Sequence, residues 1–174
     1  YLALCTSNLS APEIKLPGDN FNTLLYDDGA GAKTGLGFLP DWVWFKGRAG
    51  TYTYFHKIVD SVRGVGLSWA LPGTTAQETE STGLTAFGAD GFTVGADADY
   101  SNTAGSGMAS WSWKVGGAPT ATNSETSGAM TANSVSLNGS LQASYTPSGS
   151  PDIYPNKMSI NTANGISIIQ YEGI

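Results

Sequence analysis

Cysteine is nearly missing from this chain: Cys5 is the single one in 174 residues. That excludes an internal disulfide and a cysteine-built metal site. Cys5 itself reads as a small buried hydrophobe near the start rather than a reactive thiol. Histidine is as scarce, with His56 alone between Phe55 and Lys57. A general base needs a positioned partner, and none is visible in the sequence, so a structural or surface role is expected for it. Charged residues make up 13% of the chain, about half the usual share of roughly 25%. The eight basic side chains are outnumbered by fourteen acidic ones, for a net charge of −6. Such a chain lacks the basic patch that displaces counterions from phosphates, so no nucleic-acid partner is expected. Anionic membrane surfaces are disfavoured for the same reason.

No apolar run approaches the roughly 20 residues of a membrane-spanning helix, so no membrane insertion is expected. Tyr1-Leu2-Ala3-Leu4 is too short, and too poor in basic residues, for a signal peptide. With no initiator Met, the chain is expected to be a fragment or a processed product. Catalytic signatures are also missing. No serine sits in a Gly-x-Ser-x-Gly elbow. Gly29-Ala30-Gly31-Ala32 resembles a phosphate loop only superficially: the residue before Lys33-Thr34 is Ala rather than Gly, and no helix pattern follows.

In place of charge the chain carries Gly, Ser, Thr, Ala and Asn, a mixture that favours strands and turns over helices. Its clearest stretch is Gly37-Phe38-Leu39-Pro40-Asp41-Trp42-Val43-Trp44-Phe45-Lys46-Gly47-Arg48. Alternation puts Trp42, Trp44, Lys46 and Arg48 on one face of a strand, with Val43, Phe45 and Gly47 on the other. Both faces begin bulky and apolar, which predicts a central strand covered on both sides. Met108–Val115 answers it, with Ala109, Trp111, Trp113 and Val115 sharing one face. Four of the five tryptophans lie in these two strands. Trp42, Trp44, Phe45, Trp111 and Trp113 are therefore expected to form the structural core.

Around them the chain divides into four parts. Residues 1–20, with Pro12 and Pro17, read as an extended connector. Residues 21–115 read as a β-sandwich module, jelly-roll-like, of short strands and Gly-rich turns. Its strands are expected at 21–26, 52–60, 65–71 and 108–115, beside the hairpin 84–95 closed by Gly88-Ala89-Asp90-Gly91. Thr75-Ala76-Gln77-Glu78 offers a short helical turn. Residues 116–156 are so rich in Ser, Thr, Gly, Ala and Asn that an arm or linker without its own core is expected. Residues 157–174 return to strand patterns. Ile168-Ile169-Gln170-Tyr171-Glu172-Gly173 echoes Thr23-Leu24-Leu25-Tyr26-Asp27-Asp28-Gly29, as the opening of a further similar module would. Such a strand is expected to add to the existing sheet.

Three constellations could carry chemistry. Tyr52, Tyr54 and Trp69 lie near turns at the edge of the strand-rich block. Partly exposed, they would suit sugar stacking beside Asn and Asp; packing in a core or interface is the stronger expectation. Asp97, Asp99 and Asn102 place oxygens at spacings a calcium loop uses, yet the glycine and distal Glu of a full loop are missing, so a solvated loop is preferred. Asp27, Asp28, Asp41, Asp60, Asp90, Glu78 and Glu80 supply carboxylates for glycoside hydrolysis, but no spacing selects a pair. No catalytic residue, metal or cofactor is assigned, and an enzyme is the minority reading.

The order of segments resembles a module repeated in tail-fibre and virion-surface proteins of tailed bacteriophages, in the region that follows a SPRY-like domain. The resemblance is carried by Tyr1–Ile14, by residues 37–46, by Val59-Asp60-Ser61-Val62-Arg63-Gly64, by residues 84–95 and by Ala109–Lys114. It covers nearly the whole chain and is most specific over 37–115. It implies a non-enzymatic structural protein of the virion surface, assembled in the host cytoplasm and engaged in host attachment. Its implied partners are other virion subunits in a symmetric homo-oligomer, with a host surface glycan as a further one. Capsid decoration or a head fibre, a carbohydrate-binding module, and a tailspike glycosidase stand as alternatives.

Overall fold

The structure is a computed structural model that describes residues 16–48, 56–71, 73, 76–101, 107–149 and 151–173. After a single 3-10 turn at Pro17–Asp19 come thirteen strands and one short helix among the described residues. The strands are β1 (Phe21–Tyr26), β2 (Gly31–Thr34), β3 (Trp42–Gly47), β4 (His56–Asp60), β5 (Leu67–Leu71), β6 (Glu78–Thr79), β7 (Leu84–Gly88) and β8 (Gly91–Val94). Helix α1 (Ala98–Ser101) leads to β9 (Met108–Trp113), and β10 (Val135–Leu137), β11 (Ser140–Leu141), β12 (Lys157–Asn161) and β13 (Ile166–Gln170) complete the set. The chain is all-β and sandwich-like.

One sheet runs β1-β9-β3-β4-β5-β6 and a second, three-stranded one runs β2-β8-β7. Their facing sides close over Phe38, Val43, Phe45, Val59, Leu84, Phe92, Val94, Tyr100 and Met108. Phe45 anchors this core, meeting Phe92 edge-on at 5.1 Å and Tyr100 at 5.0 Å. Edge-to-face contact is the arrangement aromatic quadrupoles favour. The turn residue Asp90 holds the β7–β8 hairpin on the loop before β3, its carboxylate accepting the backbone N–H groups of Gly35 and Gly37.

The expected tryptophan core is corrected by this arrangement. Phe45 is fully buried, whereas Trp42, Trp44, Trp111 and Trp113 are half-buried on the opposite face of the same sheet. In β9 the inward residues are Met108, Ser110 and Ser112, each with no exposure. Small serines let the second sheet close down on Phe45 and Phe92; indoles at those positions would hold the layers apart. The tryptophans instead form a ladder on the outer face. Trp42 lies beside Trp113 at 4.4 Å, Trp44 beside Trp111 at 5.5 Å, and Phe21 beside Trp113 at 4.9 Å.

Other expectations also fail. Of the helical turn offered for 75–78, Ala76 and Gln77 are irregular, Glu78 belongs to the strand Glu78–Thr79, and Thr75 lies outside the described residues. Residues 116–156 are no coreless arm. β10 and β11 join β12 and β13 in a third sheet, ordered β11-β10-β12-β13. It has its own small core of Met130, Val135 and Met158, with Tyr145, Tyr154 and Ile160 packed around it. Accordingly, β13 pairs antiparallel with β12 and does not add to the six-stranded sheet.

A polar joint ties this third sheet to the sandwich. Asp41, 3% exposed, accepts the backbone N–H groups of Val115 at 2.8 Å and Gly117 at 3.2 Å, and the hydroxyl of Ser61 at 2.8 Å. Between those two amides, Gly116 donates to Ser159 and its carbonyl accepts the Ser136 hydroxyl. A side chain at Gly116 would stand 2.2 Å from the Ile160 carbonyl oxygen. Only glycine admits so close an approach of backbones.

Candidate binding groove

The third sheet brings β13 alongside the outer face of the six-stranded sheet, and a groove of about 450 Å³ runs between them. Asp60 and Arg63 lie in its wall, with Trp69 from β5, Gln77, and Ile168, Ile169, Gln170 and Tyr171 from β13 and just beyond. A second depression of about 320 Å³ shares Asp60, Arg63, Trp69, Ile168 and Ile169 and reaches Trp42 and Ile58.

The turn after β4 positions the charged pair. Asp60 Oδ1 accepts the backbone N–H groups of Val62 and Arg63 at 3.0 and 2.9 Å. Its Oδ2 accepts Arg63 Nε at 2.6 Å. Arg63 Nη2 reaches the Ile58 carbonyl at 3.3 Å, and the guanidinium carbon sits 4.3 Å from the centre of the Trp69 ring. The pair is 92–93% buried, its side chains being 8% and 7% exposed. One donor remains: Arg63 Nη1 is buried without a hydrogen-bond partner. Trp69 is 51% exposed and Tyr171 59%. The groove thus offers two exposed aromatic rings and two primary amides.

A second polar cluster lies inside the sandwich. Lys57, its side chain 4% exposed, meets Glu78 at 2.5 Å, Asp99 at 3.2 Å and Glu80. Glu80 also accepts the hydroxyls of Ser68 at 2.6 Å and of Tyr100. Burial pushes Lys57 down, but the hydrogen bonds to Glu78, Glu80 and Asp99 outweigh it and hold the ammonium above its ordinary value. Burial pushes Glu80 up, yet its bonds from Lys57, Ser68 and Tyr100 hold it below the usual range. For Asp99 burial prevails, raising its carboxyl despite Lys57. Each group has its partners here, and the cluster locks β4, β6 and α1 together.

The residues singled out by sequence separate accordingly. Trp69 lines the groove; Tyr52 and Tyr54 lie outside the described residues. Asp97 and Asp99 each have a partner within the fold. Asp97 Oδ1 accepts the Asp99 backbone N–H at 2.9 Å and so starts α1, Asp99 faces Lys57, and Asn102 lies outside the described residues. No group of three or more His, Cys, Asp or Glu side chains placed to hold a metal ion occurs among the described residues. Of the carboxylates weighed for hydrolysis, Asp41, Asp60, Asp90 and Glu80 are each engaged by backbone or side-chain donors. No described helix is long and apolar enough to cross a membrane. Arg63, Gln77, Gln170 and Tyr171 carried no local signal; an arginine inside a tight Asp60–Gly64 turn was the one available hint.

Comparison with known proteins gives a family and no neighbour of known activity. A family model described as a domain of unknown function (DUF7483) matches residues 16–153, most of the chain, which therefore belongs to that family. The match takes in β10 and β11 along with the sandwich. No curated protein and no solved structure matches.

Proposed function

We propose that this DUF7483 member is a non-enzymatic structural module of a bacteriophage virion, built into a tail fibre or similar surface appendage that meets the host. The observation that carries the reading is where the first and last described strands lie. β1 is the outermost strand of the six-stranded sheet and β13 the outermost of the third sheet. An edge strand offers a row of backbone donors and acceptors to whatever lies beside it. A module bounded by edge strands suits stacking with its like, within one chain or between subunits, and the echo of 23–29 in 168–173 fits such a series. The motifs at 37–46, 59–64, 84–95 and 109–114 supply the phage context by resemblance. In this reading its partners are other virion subunits in a symmetric homo-oligomer, and its place is the surface of the particle.

Immunogold labelling of purified particles with antibody to this chain tests the proposal. Gold along the tail or its fibres is the expected result. Gold on the head would replace the appendage with a capsid-decorating role, and unlabelled particles would end the virion reading.

A further inference from the structure

We propose that the groove between Trp69 and Tyr171 binds a neutral saccharide unit of a surface polysaccharide. The inference deepens the attachment reading and rests on it only for its biological setting.

Two features select this ligand chemistry. The first is aromatic surface: Trp69 and Tyr171 are both more than half exposed in a concavity. Flat π faces take the C–H face of a sugar ring, while the amides of Gln77 and Gln170 each offer donors and an acceptor to its hydroxyls. The volume falls within the range of roughly 300–1,000 Å³ typical of small-ligand sites.

The second feature is charge. The Arg63 guanidinium in the groove wall is already neutralised by Asp60 at 2.6 Å. A carboxylate-bearing sugar would approach the Asp60 carboxylate and find this cation already paired. The chain's net charge of −6 opposes acidic glycans at longer range. A neutral sugar meets no such repulsion. Neutral hexose or N-acetylhexosamine units fit; uronic and sialic acids do not.

Isothermal titration calorimetry of the full chain against neutral hexose and N-acetylhexosamine oligosaccharides, and against their uronic- and sialic-acid-bearing counterparts, tests this. At least one neutral oligosaccharide is expected to bind, with affinity reduced about ten-fold or more by Trp69→Ala and by Gln77→Ala. Both side chains are peripheral, so unchanged melting curves are expected to show that the variants fold. Failure of every neutral oligosaccharide to bind, binding confined to the acidic ones, or affinity that survives Trp69→Ala would each overturn the proposal. Particle labelling is independent of this result. A chain that binds neutral sugar but is missing from virions keeps the groove and loses the virion reading; a virion protein that binds none does the reverse.

Discussion

Trp44 donates its indole N–H to Nδ1 of His56 at 2.9 Å, with the two rings 5.5 Å apart. The bond puts the proton of neutral His56 on Nε2, because Nδ1 is the acceptor. Burial, and then the positive charge of Lys46, push the imidazole below its ordinary value of 6.5. Protonation would also turn Nδ1 into a donor facing a donor. The folded chain therefore binds fewer protons here than the unfolded one. The resulting stability is present above 6.5 and is lost as pH falls through the lower folded value. As the only histidine, His56 gives a clean NMR titration, expected below 6.5 and accompanied by a change in tryptophan fluorescence. In Trp44→Phe its midpoint should rise. A midpoint at or above 6.5 in the unaltered chain would refute the assignment.

Around Lys57, two carboxylates that touch the same ammonium are expected to respond with opposite signs. Glu80 is held below its ordinary value of 4.5, so its ionised form favours the fold at neutral pH, and that support is lost as pH falls through the folded value. Asp99 is raised above 3.8, so ionising it works against the fold once pH passes that higher value. Glu80→Gln should therefore cost about 2–3 kcal/mol at neutral pH, since it also weakens the partners of Ser68 and Tyr100. Asp99→Asn should change stability by no more than about 0.5 kcal/mol, or raise it. Urea unfolding at neutral and acid pH measures both, and the Glu80→Gln penalty should shrink in acid. Equal losses for the two variants would contradict the opposed shifts.

Positions of strands were legible in the sequence where the signal is local. Alternation located β1, β3 and β9, and the Gly88–Gly91 turn located the β7–β8 hairpin. The side on which the core would form was not legible. The inward residues of β9 are Ser110 and Ser112, and the outward ones Trp111 and Trp113, the reverse of what hydrophobicity suggests. The gap between sheets, which no single strand reports, decided it. The third sheet was hidden for a related reason. β10 pairs parallel with β12 across a long polar connection, and its core draws on Met130, Val135 and Met158 from three separate stretches. Of the groove, Trp69 was visible; Arg63, Gln77 and Tyr171 reach it from segments that only the fold brings together.

Gly116 is where the third sheet and the sandwich share backbone contacts, and a methyl group there has no room. Its Cβ would meet the Ile160 oxygen and nitrogen at 2.2 and 2.3 Å and the Ser136 oxygen at 2.6 Å. None of these is the end of a flexible side chain. Gly116→Ala should cost about 2–3 kcal/mol and loosen the third sheet first. Hydrogen exchange should show amides of β10 and β12 deprotected, with those of β3 and β9 little changed. Protection lost evenly across both sheets would mean that the joint is not the point of failure.

The two faces of β9 give the sharpest contrast, in neighbouring residues. Ser112 is fully buried and its hydroxyl has no partner. Replacing it by alanine removes a dehydrated polar group and leaves almost no void. Ser112→Ala should therefore be neutral or stabilise by up to about 1 kcal/mol. Trp113, by contrast, packs between Phe21 and Trp42 on the half-buried outer face. Trp113→Ala strips both rings of their neighbour and should cost about 2 kcal/mol, less than a tryptophan lost from a sealed core. Thermal unfolding of the two variants ranks them directly. If Ser112→Ala proved the more damaging, the serines would not be the inward face of this strand, and the placement of the core on the Phe45 side would have to be abandoned.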